Sequence, residues 1–243
     1  MGKMRLHKFL AQAGVDSRRK CEKLIIQGKV KVNGTTVTKL GTTIDIHNDK
    51  VEINNQVIFK NIPRIYLLLN KPKGFLCTHH DPLGRPTIYD LLKGIRYKLN
   101  YAGRLDFDSK GLVFLTNDGE LINQITHPKR EIKKVYIVKV KGRINENNLE
   151  QLENGIPITP VYTTNPCQVK LLKKNKNNSI LKIIISEGKK RQIRKMFAYL
   201  GYHILELKRT EIGFLNIGEL RPGQYRILKK QEIKKFKNFL ENN

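Results

Sequence analysis

Gly103-Arg104-Leu105-Asp106 shortly precedes the apolar run Leu112-Val113-Phe114-Leu115. That run has the length and composition of a buried strand, and the glycine-flanked segment before it is typical of a turn. Asp106 is therefore expected at the edge of a sheet, where the strand behind it can present its carboxylate rigidly to a ligand. A loop aspartate that caps a turn or pairs with Arg104 is the structural alternative.

The charge of the chain indicates an anionic partner. Its 243 residues include 47 Lys and Arg against 21 Asp and Glu, which gives a formal net charge of +26. A surplus of this size repels itself unless an anion neutralises it, and nucleic acid is the commonest such partner. A merely solvated surface usually mixes both signs. With 39% hydrophobic residues, the chain can also form a real core.

The cysteines and histidines do not indicate a metal centre. Cys21, Cys77 and Cys167 are far apart and match neither a zinc-site spacing nor a disulfide framework. Cys21 falls at a helical core spacing, and His79-His80 is interpreted as part of a loop. No apolar run approaches the roughly 20 residues of a membrane span, and no signal-peptide core follows Met1. We therefore expect a cytoplasmic protein that does not bind a membrane.

The first sixty residues predict a small separate module. Apolar residues at helical spacing indicate a first helix that ends at Gly14, and Asp16 or Ser17 then caps a second helix that ends at Gly28. Alternation at Val30-Lys31-Val32 leads into Asn33-Gly34, a strong signal for a tight hairpin. The module is therefore a helix pair followed by a hairpin, with four cations near its second helix: Arg18, Arg19, Lys20 and Lys23.

The rest of the chain predicts an α+β domain with a mainly antiparallel mixed sheet. A polar linker is expected at Asn54 to Arg64, with domains at 1–60 and 61–243. Strands are predicted at Ile65–Leu69, Val113–Leu115, Val135–Val140, Cys167–Leu172, Ile180–Ile185 and Ile204–Leu207. Helices are predicted at Glu120–Ile125, Glu146–Glu153, Arg191–Leu200 and Lys230–Leu240. Lys173 to Asn178 is expected to be a hairpin loop, and Asn70 to Gly74 a turn with two cations.

The helix predicted at Arg191–Leu200 has a core face and a charged face. Its apolar residues recur at i, i+3, i+4 and i+7: Ile193, Met196, Phe197 and Leu200. On the opposite side lie Arg191, Arg194 and Lys195. Cations in the first turns of a helix face the positive end of its dipole, so a phosphate or a carboxylate is expected beside them. A solvated basic face is the alternative.

Two segments resemble known families. The run from Gly103-Arg104-Leu105-Asp106 through Asn117-Asp118-Gly119 resembles the catalytic motif of the RNA pseudouridine synthases, in the branch that modifies ribosomal RNA. The N-terminal module, with Ser17-Arg18-Arg19 and Lys31-Val32-Asn33-Gly34, resembles the RNA-binding alpha-L motif of a small-subunit ribosomal protein. Together the two resemblances span about Met4 to Tyr225. Ser109 stands where the family often has threonine, which keeps the hydroxyl.

The resemblance implies roles for individual residues. Asp106 would attack the uridine, and Arg194, in a segment that also matches a family motif, would pair with that aspartate. Tyr136 would pack against the target base, and Arg104 and Leu207 would belong to the substrate pocket. From the residues alone, Tyr136 is interpreted as a core or sheet-surface aromatic, and Leu207 can equally be a core residue.

The implied reaction breaks the bond from ribose to the base nitrogen, turns the base and rejoins it through carbon. Nothing is oxidised and no group is imported, so no cofactor or metal is expected. A proton must be removed late in the reaction, and Tyr136 is a candidate base. Predicted RNA-binding cations are Arg18, Arg19, Lys20, Lys23, Lys71, Lys73, Lys189, Lys190, Arg191 and Lys195.

The sequence therefore predicts a ribosomal RNA pseudouridine synthase. The segment Arg191-Gln192-Ile193-Arg194-Lys195-Met196 resembles the subgroup that modifies 23S rRNA, which is the preferred substrate. Alternatives are a 16S rRNA pseudouridine synthase and a non-catalytic rRNA-binding assembly factor. We expect a monomer whose partner is ribosomal RNA.

Overall fold

The computed structural model describes residues 2–59 and 63–242. The chain divides into two compact units. The first comprises the described residues up to Ile65, with Arg96–Lys98 and Asn117–Gly119, and the second comprises Tyr66–Ile95, Leu99–Thr116 and the described residues from Glu120 onward. The predicted domain boundary between residues 60 and 61 lies outside the described residues and stays a prediction.

The first unit is a small α+β module. In chain order its elements are β1 (Lys3–Arg5), α1 (Leu6–Gln12), α2 (Arg18–Ile26), β2 (Val30–Val32), β3 (Thr35–Val37), β4 (Thr43–Asp45), β5 (Val51–Ile53) and β6 (Gln56–Val57). The strands form a four-stranded sheet in the order β3-β2-β5-β6 and a two-stranded sheet of β1 and β4. The predicted helix pair and hairpin are both present.

Local signals set the boundaries of these elements. Ser17 caps α2 by accepting a hydrogen bond from the backbone N–H of Lys20 at 3.4 Å. Asn33 and Gly34 both have positive φ, as the tight turn between β2 and β3 requires. The core of the unit comprises Leu6, Phe9, Leu10, Cys21, Ile25, Val30, Ile44 and Val51. The structural interpretation of Cys21 is therefore confirmed.

The chain from Tyr66 onward contains the remaining elements. The strands are β7 (Tyr66–Lys71), β8 (Asn100–Ala102), β9 (Lys110–Thr116), β10 (Lys134–Lys141), β11 (Pro157–Thr159), β12 (Tyr162–Thr163), β13 (Gln168–Lys174), β14 (Asn178–Ile185), β15 (Ile204–Ile212), β16 (Leu215–Asn216) and β17 (Tyr225–Ile227). The α-helices are α3 (Gly119–Thr126), α4 (Glu146–Asn154), α5 (Gln192–Tyr199) and α6 (Lys230–Glu241). Short 3-10 helices lie at Ile88–Leu91 and Pro128–Arg130.

A mixed sheet organises the second unit. Its strand order is β13-β14-β10-β15-β9-β7-β17, with β16 beside β15 and β8 beside β9. The pair β9–β15 is parallel, and the other neighbours are antiparallel. The predicted α+β class with a mainly antiparallel mixed sheet is confirmed. The predicted helices and strands are present with shifted ends, and the largest corrections are that β15 continues from Leu207 to Ile212 and that β9 begins at Lys110.

Gly111 permits the parallel contact at the centre of this sheet. It has φ of +112° and pairs with Arg209 of β15. A Cβ at this position would lie 2.1 Å from the carbonyl oxygen of Arg209. Such a distance is impossible for a side chain, so only glycine lets β9 approach β15 this closely.

The C-terminal helix α6 completes one core of the second unit. Phe236 and Leu240 are 1% and 0% exposed, and they pack in a cluster that includes Tyr66, Phe114 and Ile212. The segment after Tyr225, which lies beyond the family resemblance, therefore contributes to the core of the second unit. None of the helices in the described part of the chain has the length and apolar character that a membrane-spanning helix needs.

Three local predictions were wrong in their bounds. Asn54 to Arg64 is not simply a linker, because β6 pairs with β5 to form a hairpin there. Lys173 to Asn178 is not all loop, since β13 continues to Lys174 and β14 begins at Asn178. Asn70 to Gly74 is not all turn, because β7 runs through Lys71, which pairs with Gly111. In each case hydrogen bonding to a neighbouring strand overrides the polar composition of the segment.

Candidate active site

A cavity of about 540 Å³ lies in the second unit. One face of the central sheet supplies part of its lining through Lys134, Tyr136, Ile185, Leu207 and Arg209. Segments outside these strands supply the rest: the loop at 103–109, the stretch at 126–131, the stretch at 186–193, and Tyr162 with Asn165. The cavity therefore lies on one face of the central sheet, and loops and helix ends form its walls.

Strand register explains why these side chains share one face. Tyr136 of β10 lies opposite Arg209 of β15, and Lys134 lies opposite Ile185 of β14. Directly opposed residues point to the same side of a sheet, and so do residues two apart along a strand. Leu207, two residues before Arg209, therefore joins the same face.

Lys71 anchors the loop that carries Asp106. Its side chain is fully buried, and Nζ donates hydrogen bonds to the carbonyl oxygens of Asp106 at 3.0 Å, Ser109 at 2.7 Å and Pro72 at 3.0 Å. Burial lowers the pKa of the ammonium below its usual value. The predicted role of Lys71 in RNA binding is wrong, because a phosphate cannot reach a cation enclosed in this way.

Arg209 holds the backbone at the start of the same loop and in β9, which follows the loop. Its Nε donates to the carbonyl of Leu112 at 2.8 Å, and one terminal nitrogen donates to the carbonyl of Gly103 at 3.3 Å. The guanidinium is buried, with the whole residue 2% exposed. Two buried cations thus fix the backbone on both sides of Asp106, so the loop position depends on β7 and β15.

Asp106 lies at the cavity surface, where its carboxylate is 33% exposed. The nearest cation is Arg191, whose terminal nitrogen is 4.0 Å from an oxygen of Asp106. A second terminal nitrogen of Arg191 is 3.7 Å from Asp108. The carboxylate of Asp106 is therefore accessible to a ligand, with a loosely associated positive charge beside it.

Arg194 does not pair with Asp106, contrary to the prediction. Its terminal nitrogen lies 3.0 Å from a carboxylate oxygen of Asp108 and donates to the carbonyl of Asp108 and the hydroxyl of Ser109, each at 3.2 Å. Arg191, which was predicted to bind RNA, is closer to Asp106. It precedes α5 in a left-handed conformation with φ of 54°, so the helical projection used for the sequence does not apply to it.

The carboxylate expected near the start of α5 is present, and the carboxylate in closest contact with these cations is that of Asp108. It faces Arg191 and Arg194, two of the cations predicted on the charged side of that helix. The predicted core side is also confirmed for Ile193, Met196 and Phe197, which are buried. Ser109 keeps the hydroxyl that the family motif requires, and it uses that hydroxyl to accept a hydrogen bond from Arg194.

A polar network fixes the segment before α5. Glu187 accepts hydrogen bonds from the hydroxyl of Tyr162, from Gln192 Nε2 at 2.6 Å and from the backbone N–H of Asn165 at 3.0 Å. Gln192, which is 4% exposed, also accepts from the backbone N–H of Lys189 at 3.0 Å. Burial and Glu187 raise the pKa of Tyr162 to about 12. This wall of the cavity is therefore preorganised.

Three predicted pocket residues line the cavity. Tyr136 and Leu207 are 7% and 5% exposed, whereas Arg104 is exposed at the rim. Tyr136 was also interpreted as a sheet aromatic, and Leu207 as a core residue. Both interpretations are compatible with the structure, because each side chain belongs to the central sheet and also lines the cavity. Asp106 also lines the cavity, and it is not ion-paired with Arg104 among the described residues.

Most of the predicted RNA-binding cations are exposed. Lys189, Lys190 and Arg191 line the cavity, and Lys195 is exposed without lining it. Lys73 is exposed, and its Nζ donates to the carbonyl of Leu205 at 3.3 Å. In the first unit Arg18, Arg19, Lys20 and Lys23 are exposed, and Lys20 forms an ion pair with Asp16 at 3.2 Å.

Sequence reasoning missed several residues of the site. Lys134 lies two residues before Tyr136 on the same strand, so strand alternation could have placed it in the cavity. Arg209 is a cation within a strand that the prediction ended at Leu207, and a longer strand would have shown that it faces inward. Glu187 and Gln192 gave no such signal, because hydrogen bonds within an irregular segment follow no strand or helix periodicity.

The comparisons with known proteins agree with this geometry. Residues 65–199 match the family model described as RNA pseudouridylate synthase, and residues 4–51 match the S4 domain. The ribosomal large subunit pseudouridine synthase B of Bacillus subtilis is 43% identical over 235 residues, which cover 96% of this chain and 95% of the relative. An uncharacterised RNA pseudouridine synthase of Aquifex aeolicus is 38% identical, covering 96% of this chain and 93% of that protein.

A solved structure described as a pseudouridylate synthase is 34% identical, with a TM-score of 0.70 and coverage of 96% of this chain and 99% of the other. Both resemblances inferred from the sequence are thereby confirmed. The chain belongs to the RNA pseudouridylate synthase family, as an RNA pseudouridine synthase that carries an S4 domain ahead of its synthase region.

Proposed function

We propose that this enzyme isomerises a uridine of ribosomal RNA to pseudouridine, and that its substrate is 23S rRNA. The observation that carries the substrate assignment is the 43% identity, over almost the full length of both chains, to a synthase named for the large ribosomal subunit. A ribosomal RNA substrate also fits the net charge of +26. The same substrate supports a cytoplasmic location.

Asp106 is proposed as the carboxylate that acts on the uridine. It lies on a loop whose backbone is fixed by Lys71 and Arg209, and its side chain remains accessible from the cavity. Rigid positioning and access are both needed for covalent attack or for stabilisation of a developing sugar cation. Arg191, at 4.0 Å, supplies the adjacent positive charge.

Tyr136 is proposed to pack against the target base, with Leu207 forming another part of the pocket. Both side chains come from the rigid sheet and line the cavity. A uridine must leave its stack to enter such a pocket, and an aromatic surface offsets part of the stacking that is lost. Arg104, Lys189 and Lys190 lie at the same cavity and supply positive charge for the RNA backbone.

The S4 domain is proposed to add affinity through the cations of α2. Arg18, Arg19 and Lys20 occupy the first turn of that helix, where the helix dipole disfavours positive charge. An RNA phosphate near these residues would remove the conflict. Lys23, one turn further along, is also exposed.

The test is to map pseudouridines in ribosomal RNA from the source organism with and without its gene. We expect one or a few pseudouridines in 23S rRNA to disappear and to return with a plasmid copy. If pseudouridines disappear only from 16S rRNA, the substrate is the small-subunit RNA instead. An unchanged map in both RNAs, together with a defect in ribosome assembly, would favour an assembly factor instead.

A further inference from the structure

Lys134 is a cation of the cavity to which the family resemblance gives no role. It lies at the start of β10, two residues before Tyr136 on the same face of the sheet, and it lines the cavity. Its Nζ donates a hydrogen bond to the carbonyl of Ile132 at 2.7 Å. Among the described residues this is the one hydrogen bond of the ammonium, which leaves two N–H donors for a ligand.

The surroundings of Lys134 do not favour a purely structural ammonium. Burial lowers its pKa to about 8, the positive charge of Arg209 acts in the same direction, and Glu187 opposes them. Buried ammonium groups are usually neutralised by a close carboxylate or by several acceptors. Lys71, in this same unit, is an ammonium with several acceptors, since it donates to three carbonyl oxygens. Lys134 has a single carbonyl.

The proposed reaction creates a negative charge that such a donor can stabilise. When the bond between C1′ of the ribose and N1 of uracil breaks, its electron pair goes to the base. The charge is then shared between N1 and the two carbonyl oxygens. After the base turns, C5 forms the new bond to C1′. The proton on C5 then passes to a base of the site, for which Tyr136 is the candidate, and N1 takes up a proton from solvent, so that the product is an isomer of the substrate. A fixed cation at a carbonyl oxygen lowers the energy of the detached base.

We propose that Lys134 donates a hydrogen bond to a carbonyl oxygen of the target uracil and stabilises the base as its bond to the ribose breaks. This inference rests on the proposed function. Lys134 and Tyr136 project from one strand into one cavity, so a base packed against the tyrosine ring can present a carbonyl oxygen to the ammonium. The step transfers no proton to or from Lys134.

The role requires the charged form of Lys134, which sets the direction of the pH dependence. Arg209 of β15 and Glu187 after β14 act on its charge. The other titratable groups that line the cavity are Arg104, Asp106, His127, Glu131, Tyr136, Tyr162, Lys189, Lys190 and Arg191. As pH rises through about 8, the ammonium loses its proton. The value of kcat/KM, which reports ionisations of the free enzyme, should fall over the same range.

The experiment uses the full-length enzyme and 23S rRNA transcribed in vitro. Lys134→Met removes the charge and the donors but keeps most of the side-chain volume, and Lys134→Arg keeps the charge. Lys133→Met, which changes an exposed neighbour outside the cavity lining, is the matched control. Single-turnover rate at saturating RNA, RNA Kd, melting temperature and the pH profile are measured for each.

We expect Lys134→Met to lower the saturating rate about 100-fold, as loss of one donor to a developing anion does, without lowering the melting temperature. RNA Kd should stay within about threefold, because many other cations contribute to binding. Lys134→Arg should restore most of the rate, and its alkaline limb should move to higher pH. Lys133→Met should match the wild type.

A Lys134→Met enzyme with the wild-type rate would overturn the inference, as would a rate loss that parallels a fall in melting temperature and is not rescued by Lys134→Arg. If Lys134→Met does not fold, the pH profile of Lys134→Arg tests the proposal. An alkaline limb of kcat/KM that stays at the wild-type pH would show that Lys134 is not the donor to the uracil. A wild-type enzyme that forms no pseudouridine in the 23S transcript, or in a 16S transcript assayed beside it, would instead contradict the proposed function.

Discussion

The buried cations of the synthase region and the exposed cations of the S4 domain are the same residue types in opposite situations. Lys71 and Arg209 are 0% and 2% exposed and donate to backbone carbonyls around the Asp106 loop. Arg18, Arg19 and Lys23 are exposed on α2. A net charge of +26 therefore combines cations that hold the active-site loop with cations available to RNA.

This difference teaches that a basic sequence cannot be equated with a basic surface. A buried ammonium loses its hydration and must regain hydrogen bonds inside the protein, so its substitution should change stability and activity. An exposed arginine is solvated in the free protein, and its substitution should change mainly the salt-dependent affinity for RNA. The predictions below separate these two effects.

The largest effect is expected for Lys71→Met. The buried Ser109 carbonyl would lose the donor at 2.7 Å, and the loop would lose its link to β7. An unsatisfied buried polar group costs about 1–3 kcal/mol, so the free energy of unfolding should fall by about that amount. Activity should also fall, because the backbone of Asp106 is no longer held. Denaturant unfolding measures the free energy of unfolding, and single-turnover kinetics measure the activity.

Lys73→Met is the matched control for that prediction. Lys73 is two residues further along the chain and exposed, and it makes a 3.3 Å hydrogen bond to the Leu205 carbonyl. Its substitution should leave the free energy of unfolding within about 0.5 kcal/mol of the wild type, as is usual for surface changes. If Lys71→Met and Lys73→Met lower the free energy of unfolding equally, burial of Lys71 does not make it more important for stability than an exposed lysine.

A smaller effect on stability, with a clear effect on rate, is expected for Arg194→Ala. Its side chain is 15% exposed and contacts Asp108 and Ser109. Without it the loop can move by about 1 Å, and misplacement on that scale can slow a reaction about 100-fold. The free energy of unfolding should fall by about 1 kcal/mol. Lys195→Ala, at the exposed next position, is the control and should change neither the reaction rate nor the free energy of unfolding. If Arg194→Ala reacts at the wild-type rate, Arg194 does not position the loop.

The smallest effect on rate is expected for the combined substitution of Arg18, Arg19 and Lys23 by alanine. Each lost phosphate contact should reduce the slope of log affinity against log salt by roughly 0.7 to 0.9. The rate at saturating RNA and the melting temperature should remain close to wild type. Lys50→Ala is a control, because Lys50 pairs with Glu52 at 2.9 Å. An unchanged salt slope would show that α2 does not contact RNA.

Much of the fold could be predicted from local sequence. The hairpin at Asn33-Gly34, the strand through Val113–Leu115 and the core stripe of α5 depend on short-range signals such as turn residues and apolar periodicity. Asp106, Tyr136 and Leu207 were placed in the pocket by motif resemblance, and the structure brings all three to one cavity.

The partners of the cations could not be predicted, because they depend on strand order. Lys71 reaches the Asp106 loop because β7 lies beside β9, and Arg209 reaches it because β15 lies on the other side. Arg194 was assigned to Asp106 although it binds Asp108, two residues away. The family resemblance implied the pair with Asp106, and helical projection predicted only that a carboxylate or a phosphate lies beside these cations. The conformation of the loop decides which of two aspartates, two residues apart, Arg194 contacts.

The central claim is that Asp106, and not its neighbour Asp108, acts on the uridine. Asp106→Asn and Asp108→Asn make the same chemical change two residues apart, in carboxylates that are 33% and 46% exposed. The most direct measurement is pseudouridine formation by each purified variant on 23S rRNA in a single turnover, with RNA affinity measured alongside. Asp106→Asn should form no detectable pseudouridine and bind RNA normally, whereas Asp108→Asn should retain measurable turnover. Substantial turnover by Asp106→Asn would contradict the account.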